Sequence, residues 1–169
     1  RRVRFRSREH PVVQLLEAAG ALALDGDYAS FSAFARHADA LEAVAAEHRL
    51  ESAEVLRQLD DFQNETLPTR FADLRGRLEG ALPASPTGSL ACMAAFAGRI
   101  LDALQEGPPE AALRDLLQRV YARRTVEPGD PRGEAFLEVG RVVSDALAEL
   151  GRLHLDGAAL VAADFLALL

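Results

Sequence analysis

The side chains able to do chemistry in this 169-residue sequence are few, and their spacing decides what they can do. Four histidines occur: His10, His37, His48 and His154. A metal site on a helix pairs His or carboxylate ligands three or four positions apart, so that both project from one face. His37 and Asp39 stand only two apart, and neither HExxH nor ExxH occurs. The sequence therefore predicts no metal site and no cofactor. Asp60, Asp61 and Glu65 come closest to an acid–base group, with Asp61 and Glu65 four apart on one helical face. Paired carboxylates do such work only when they face inward beside a partner. Leu59 and Phe62 claim the inward direction of that segment, which leaves Asp61 and Glu65 in water. No GxSxG elbow surrounds a serine, and neither GxxxxGK[ST] nor GxGxxG is present to cradle a phosphate. No catalytic set emerges from these residues.

Arginine is the remaining candidate for binding. The chain has no lysine, so its nineteen basic residues are all arginine, a bias that a GC-rich coding sequence explains better than a binding function does. Arg1, Arg2, Arg4, Arg6 and Arg8 give residues 1–8 a net charge of +5, so the other 161 residues sum to −12. The overall −7 argues against a generally basic surface of the kind that holds nucleic acid non-specifically. A basic arm on an acidic body can still meet phosphate, because local patches make such contacts. The plainer reading of the same arm is an edge segment separated from its neighbours. Arg119, Arg123 and Arg124 form a second group at a helix end, where cations complement the helix dipole. These eight arginines are the candidate DNA contacts.

The elements that must position these groups are helices. Ala and Leu dominate the apolar 49%, while aromatics reach only 6% and strand formers are scarce. After an alternating stretch over 1–8, Pro11 opens a helix with Val12, Leu15, Leu16, Ala19 and Leu22 on one face, stopped at Asp25-Gly26-Asp27. Asp27 caps a second helix carrying Phe31, Phe34 and Ala35, and Asp39–His48 is a third. Ser52 caps Ala53–Glu65, with Val55, Leu56, Leu59 and Phe62 as its stripe. Phe71, Leu74 and Leu78 mark a fifth helix ending at Gly80. The Pro/Ser/Gly-rich residues 83–89 are the one place where the chain could divide in two. Ser89 caps a sixth helix through Glu106, and a seventh runs from Pro109 to Arg123 with Leu113, Leu116, Leu117 and Val120 inward. After the loop Thr125–Arg132, a long eighth spans Gly133–His154, carrying Phe136, Leu137, Val143, Leu147 and Leu150. A ninth, Ala158–Leu169, is apolar on nearly all sides. The expectation is a single all-α domain over residues 1–169, an irregular bundle of about eight or nine helices with no repeat of fixed period.

Cys92, the sole cysteine, rules out an internal disulfide framework and reads as a small core residue in the run Leu90–Ala95. No stretch reaches the roughly 18 to 20 apolar residues that cross a bilayer, and no secretory signal is present. Cytoplasm is the expected compartment, and no membrane partner is expected. The sequence opens mid-phrase at Arg1 and stops inside an apolar pattern at Leu169, which suggests a piece of a longer chain.

Several phrases, read in order, resemble one family. His10-Pro11-Val12-Val13-Gln14-Leu15-Leu16 leads through Asp25-Gly26-Asp27-Tyr28 to Phe31-Ser32-Ala33-Phe34-Ala35-Arg36-His37-Ala38-Asp39. Leu59-Asp60-Asp61-Phe62-Gln63-Asn64-Glu65-Thr66-Leu67-Pro68-Thr69-Arg70 follows. The succession is similar to a stretch of bacterial AddB-type proteins, which join a degenerate superfamily 1 helicase to a PD-(D/E)XK nuclease. Ala38 stands where that family commonly has Pro, and Thr66 where it commonly has His. The motif-bearing likeness covers about residues 10–70, and its motifs are packing signatures.

The resemblance implies a non-catalytic helical accessory domain, in the 2B-like position of an ATP-dependent helicase–nuclease that processes DNA double-strand breaks for recombination. Its partners would be the rest of the parent chain, a helicase partner subunit, and DNA through local arginines. The nuclease acids would lie outside these residues, and no catalytic role transfers. The alternative is a free-standing helical protein–protein interaction module. A third reading, a small enzyme or ligand-binding domain, requires Asp60, Asp61 and Glu65, or His37 and Asp39, to face a pocket.

Overall fold

Local capping chemistry sets some of the helix boundaries in this chain and tertiary contacts set others. A computed structural model describes residues 10–79 and 88–155, with the backbone alone for Glu79 and residues 153–155. Among the described residues there are eight helices and no strand. They are α1 (Pro11–Asp25), α2 (Tyr28–Ala35), α3 (Ala38–His48), α4 (Ser52–Thr66), α5 (Phe71–Glu79), α6 (Ser89–Glu106), α7 (Pro109–Tyr121) and α8 (Pro131–Leu155). The chain is all-α, as its composition predicts. The expected ninth helix, most of the 83–89 stretch and the alternating 1–8 segment lie outside the described residues.

Pro11 holds the first position of α1, and His10 caps it through Nδ1, which accepts from Val12 N at 3.3 Å. Gly26 closes α1 in the left-handed region at φ +62°, where a Cβ would be strained. Asp27 then caps α2, its Oδ1 accepting from Ser30 N at 2.7 Å. The Asp130 carboxylate likewise starts α8, accepting from Arg132 N and Gly133 N at 3.1 and 3.0 Å.

Two expected caps are corrected. Ser52 and Ser89 are the first residues inside their helices, after Glu51 and Gly88, and neither helix has a local side-chain cap. For α6 the capping acceptor is tertiary: Gln58 Oε1 on α4 receives Leu90 N at 2.9 Å, across 32 positions. Local spacing rules cannot find such a partner.

α6 is the axis of the bundle. Its buried residues include Leu90, Ala91, Cys92, Met93, Ala94, Phe96, Ala97, Gly98, Ile100 and Leu101, so it is enclosed on nearly every side. α1 to α5 and α7 all pack on it, and α8 lies outside, packed on α7. Small residues let the neighbours approach. At Gly98 an added Cβ would sit 3.3 Å from the Arg75 guanidinium, which lies against α6 and makes two bonds to its Asp102 at 2.7 and 3.1 Å. Phe31 stacks on Phe71 with centroids 4.4 Å apart, and Phe34 on Phe96 at 6.0 Å. Residues from both sides of the 83–89 stretch belong to one apolar cluster.

A third correction concerns α8. Leu137, expected inward, is 56% exposed, and Val139, Val143, Leu147 and Leu150 form the buried stripe. At 3.6 residues per turn, Leu137 lies roughly 120° around the helix from that stripe.

Replacing Phe96 with Ala is expected to cost about 3–5 kcal/mol of unfolding free energy in urea titration. Leu137→Ala should cost less than about 0.5 kcal/mol. Equal costs would contradict the central burial of α6.

Candidate functional site

Arg119 of α7 and Arg123 and Arg124, just beyond its end, meet at a surface groove with charge of both signs. It encloses about 640 Å³ between α3 and the end of α7. Asp39, Glu42 and Glu47 line it from α3; Arg119, Tyr121, Arg123 and Arg124 line it from α7 and the residues that follow. The expectation that these three arginines lie together is met in position, but they are not equivalent. Arg119 Nε donates to Asp115 Oδ2 at 2.6 Å within α7. The Arg124 guanidinium lies over the Phe136 ring, 4.3 Å from its centroid, and 5.9 Å from that of Tyr121. Arg123 has no ion pair among the described residues and is exposed. Of the three, it alone has neither an ion pair nor a ring contact among the described residues.

Behind the groove a small cluster joins four parts of the chain. Tyr121 donates its hydroxyl to Asp39 Oδ2 at 2.6 Å, linking α7 to α3. Its ring meets Phe136 of α8 edge-on at 5.1 Å, and His10, before α1, stacks on Phe136 at 6.3 Å. Burial, with the hydrogen bond and charge of Asp39, pushes the Tyr121 hydroxyl far above its ordinary range, so it stays a donor at every physiological pH. His10 is held below its usual value, first by burial and then by the Arg124 charge, with Asp39 opposing. A neutral His10 is what its capping role requires, because a protonated Nδ1 has no lone pair for Val12 N.

Arg1, Arg2, Arg4, Arg6 and Arg8 lie outside the described residues. His10, two positions beyond Arg8 in sequence, sits beside Phe136 and Arg124, at the same end of the bundle as Arg123.

The other candidate residues do not assemble into a site. Asp60 pairs with Arg36, and Asp61 with Arg57 at 2.7 Å; both, with Glu65, are exposed. His37 Nε2 lies 3.1 Å from Pro11 O, while its buried Nδ1 has no hydrogen-bond partner among the described residues. Asp39 is committed to Tyr121 instead of joining His37. His48 lies 3.9 Å from Glu47 Oε1, and the side chain of His154 is outside the described set. Among the described residues, no three His, Cys, Asp or Glu side chains are grouped to hold a metal. Cys92 is buried, and burial raises its thiol pKa, which disfavours the nucleophilic thiolate. No helix among the described residues is long and apolar enough to cross a membrane.

A second assembly was not foreseen from spacing. The loop after α1 and the loop after α4 are tied by Tyr28 N to Thr69 O at 3.0 Å, by Phe71 N to Gly26 O at 3.1 Å and by an isolated antiparallel bridge between Asp27 and Arg70. Tyr28 also donates its hydroxyl to Leu59 O at 3.0 Å, and Arg36 reaches Asp60. The only sequence hint was a tyrosine directly after a helix cap, where a polar end on an apolar ring suggests a buried partner. Comparison with protein-family models, with curated proteins and with solved structures gives no match to this chain.

The His10 environment has a measurable consequence. Its folded pKa lies below the unfolded 6.5, so the unfolded chain binds the proton more readily. Its contribution to stability is therefore complete above about pH 6.5 and lost as pH falls through the lowered folded value. His10→Asn retains a capping acceptor without a titrating ring. Chemical denaturation between pH 7.5 and 5 is expected to show a shallower loss in this variant than in the wild type. Parallel curves would remove His10 from the account.

Proposed function

We propose that this chain is a non-catalytic helical accessory domain of an AddB-type, ATP-dependent helicase–nuclease that acts in double-strand-break repair. It packs against the motor lobes of its parent chain and meets DNA through local arginines. One observation supports this reading above the rest. The sequence phrases that resemble the family, 25–39 and 59–70, are joined by hydrogen bonds, a backbone bridge and an ion pair. Phrases that serve one structural unit belong together in sequence for a packing reason, and that is the character the resemblance gives them. The DNA-facing part of the proposal rests on Arg123, open beside the groove, and on the five arginines of residues 1–8.

A protein–protein interaction module is the second reading, favoured by apolar side chains left in water: Leu67 is 78% exposed and Leu137 is 56% exposed.

Two measurements separate these readings. The native polypeptide carrying these residues, purified with any subunit that accompanies it, is expected to show DNA-stimulated ATP hydrolysis. A native assembly without it leaves the interaction module. Binding of a fluorescent duplex should weaken with salt by about 0.9 logarithmic units per phosphate contact. Replacing Arg1, Arg2, Arg4, Arg6, Arg8 and Arg123 with Ala should flatten that slope by several units, and an unchanged slope would remove the DNA contact.

A further inference from the structure

Leu67 ends α4 in the left-handed region, at φ +43° and ψ +55°, with its side chain 78% exposed. The left-handed backbone closes α4, but nothing among the described residues calls for a leucine side chain there. Glycine or asparagine usually takes this place after a helix, because a Cβ is disfavoured there. An exposed leucine also gains nothing from burial. Arg49 adopts the same conformation at φ +57°, but its charged side chain is at home in water.

The backbone around Leu67 is held firmly. Leu67 N donates to Gln63 O at 3.0 Å, and the following residues are fixed through Thr69 O to Tyr28 N and Phe71 N to Gly26 O. Arg70 N also donates to Asp73 Oδ2 at 3.3 Å. Leu67 and Pro68 thus form a fixed apolar ridge. A shallow groove lies on each side of it. One, of about 530 Å³, is bounded by Tyr28, Ser32 and Gln63; the other, of about 460 Å³, by Ala72, Gly76 and Arg77.

A ridge and the recess beside it, on one surface, are the elements of a self-complementary twofold contact, in which each copy seats its ridge in the other's recess. The rim agrees with this. Arg70 and Arg77 have no ion-pair partner among the described residues, and neither do Glu65 and Asp73. Unpaired charges of both signs therefore border the ridge, and twofold pairing can set them against their opposites.

We propose that the Leu67–Pro68 ridge is a self-association surface, with a second copy of this chain seating its Leu67 in the groove beside the first. The inference does not depend on the helicase–nuclease reading, because it concerns only the ridge and its flanking grooves. The patch is small beside a standard interface, so the dimer is weak and depends on concentration.

Sedimentation equilibrium of the full chain, from about 10 µM to about 1 mM, tests this directly. A monomer–dimer equilibrium is expected, weakened by added salt. Leu67→Gly keeps the left-handed backbone, so helix content by circular dichroism should not change, while dimerisation weakens about tenfold or more. Leu137→Ala, which trims another exposed leucine, should leave dimerisation as it was. A wild-type chain that stays monomeric throughout, or a dimer that Leu67→Gly leaves intact, overturns the proposal.

Discussion

Burial of α6 on nearly all sides is the constraint from which the rest of the arrangement follows. A helix with apolar residues around most of its circumference cannot lie at a surface. It must be enclosed, and here α1 to α5 and α7 enclose it. Six helices can reach one axis only where side chains are small, which the Ala and Gly content of α6 provides. The same crowding displaces the polar groups of the enclosing helices to their outer faces. Gln58 and Arg75 are exceptions: Gln58 caps α6 at Leu90 N, and Arg75 lies over Gly98 to bond Asp102 on the same helix.

The loops are organised by a smaller set of bonds. The turns after α1 and α4 share backbone hydrogen bonds, with Tyr28 buried between them. Sharing satisfies polar groups that would otherwise be stranded near the core, and it fixes the shape of the Leu67–Pro68 ridge. Its left-handed leucine is maintained by the surroundings against its own preference.

Charge is mostly neutralised locally on this surface. Arg57 bridges Glu54 and Asp61, Arg119 pairs with Asp115, Arg141 with Asp145 and Arg152 with Glu149, all within single helices. Exposed pairs of this kind add little stability. Among the arginines that line the α3–α7 groove, Arg119 is neutralised in this way and Arg123 is not. The acidic wall of that groove would repel a polyanion lying deep within it, and any phosphate contact belongs at its arginine rim.

By itself the sequence determined the helical class, the order of the helices and most of the core, because 3.6-residue periodicity and caps such as Asp27 are local and additive. It also carried the solvation of Asp61 and Glu65, since Leu59 marks the inward direction of the same helix. Tertiary structure alone decided that α6 is capped by Gln58, from 32 positions away, and not by Ser89. It decided that Leu137 faces water, because two apolar residues on one helix can point more than 100° apart and only the neighbouring α7 selects between them. It also separated Arg123 from Arg119 and Arg124, and joined His10, Asp39, Tyr121 and Phe136 into one cluster. Such contacts depend on how helices cross, and spacing along the chain carries no record of it.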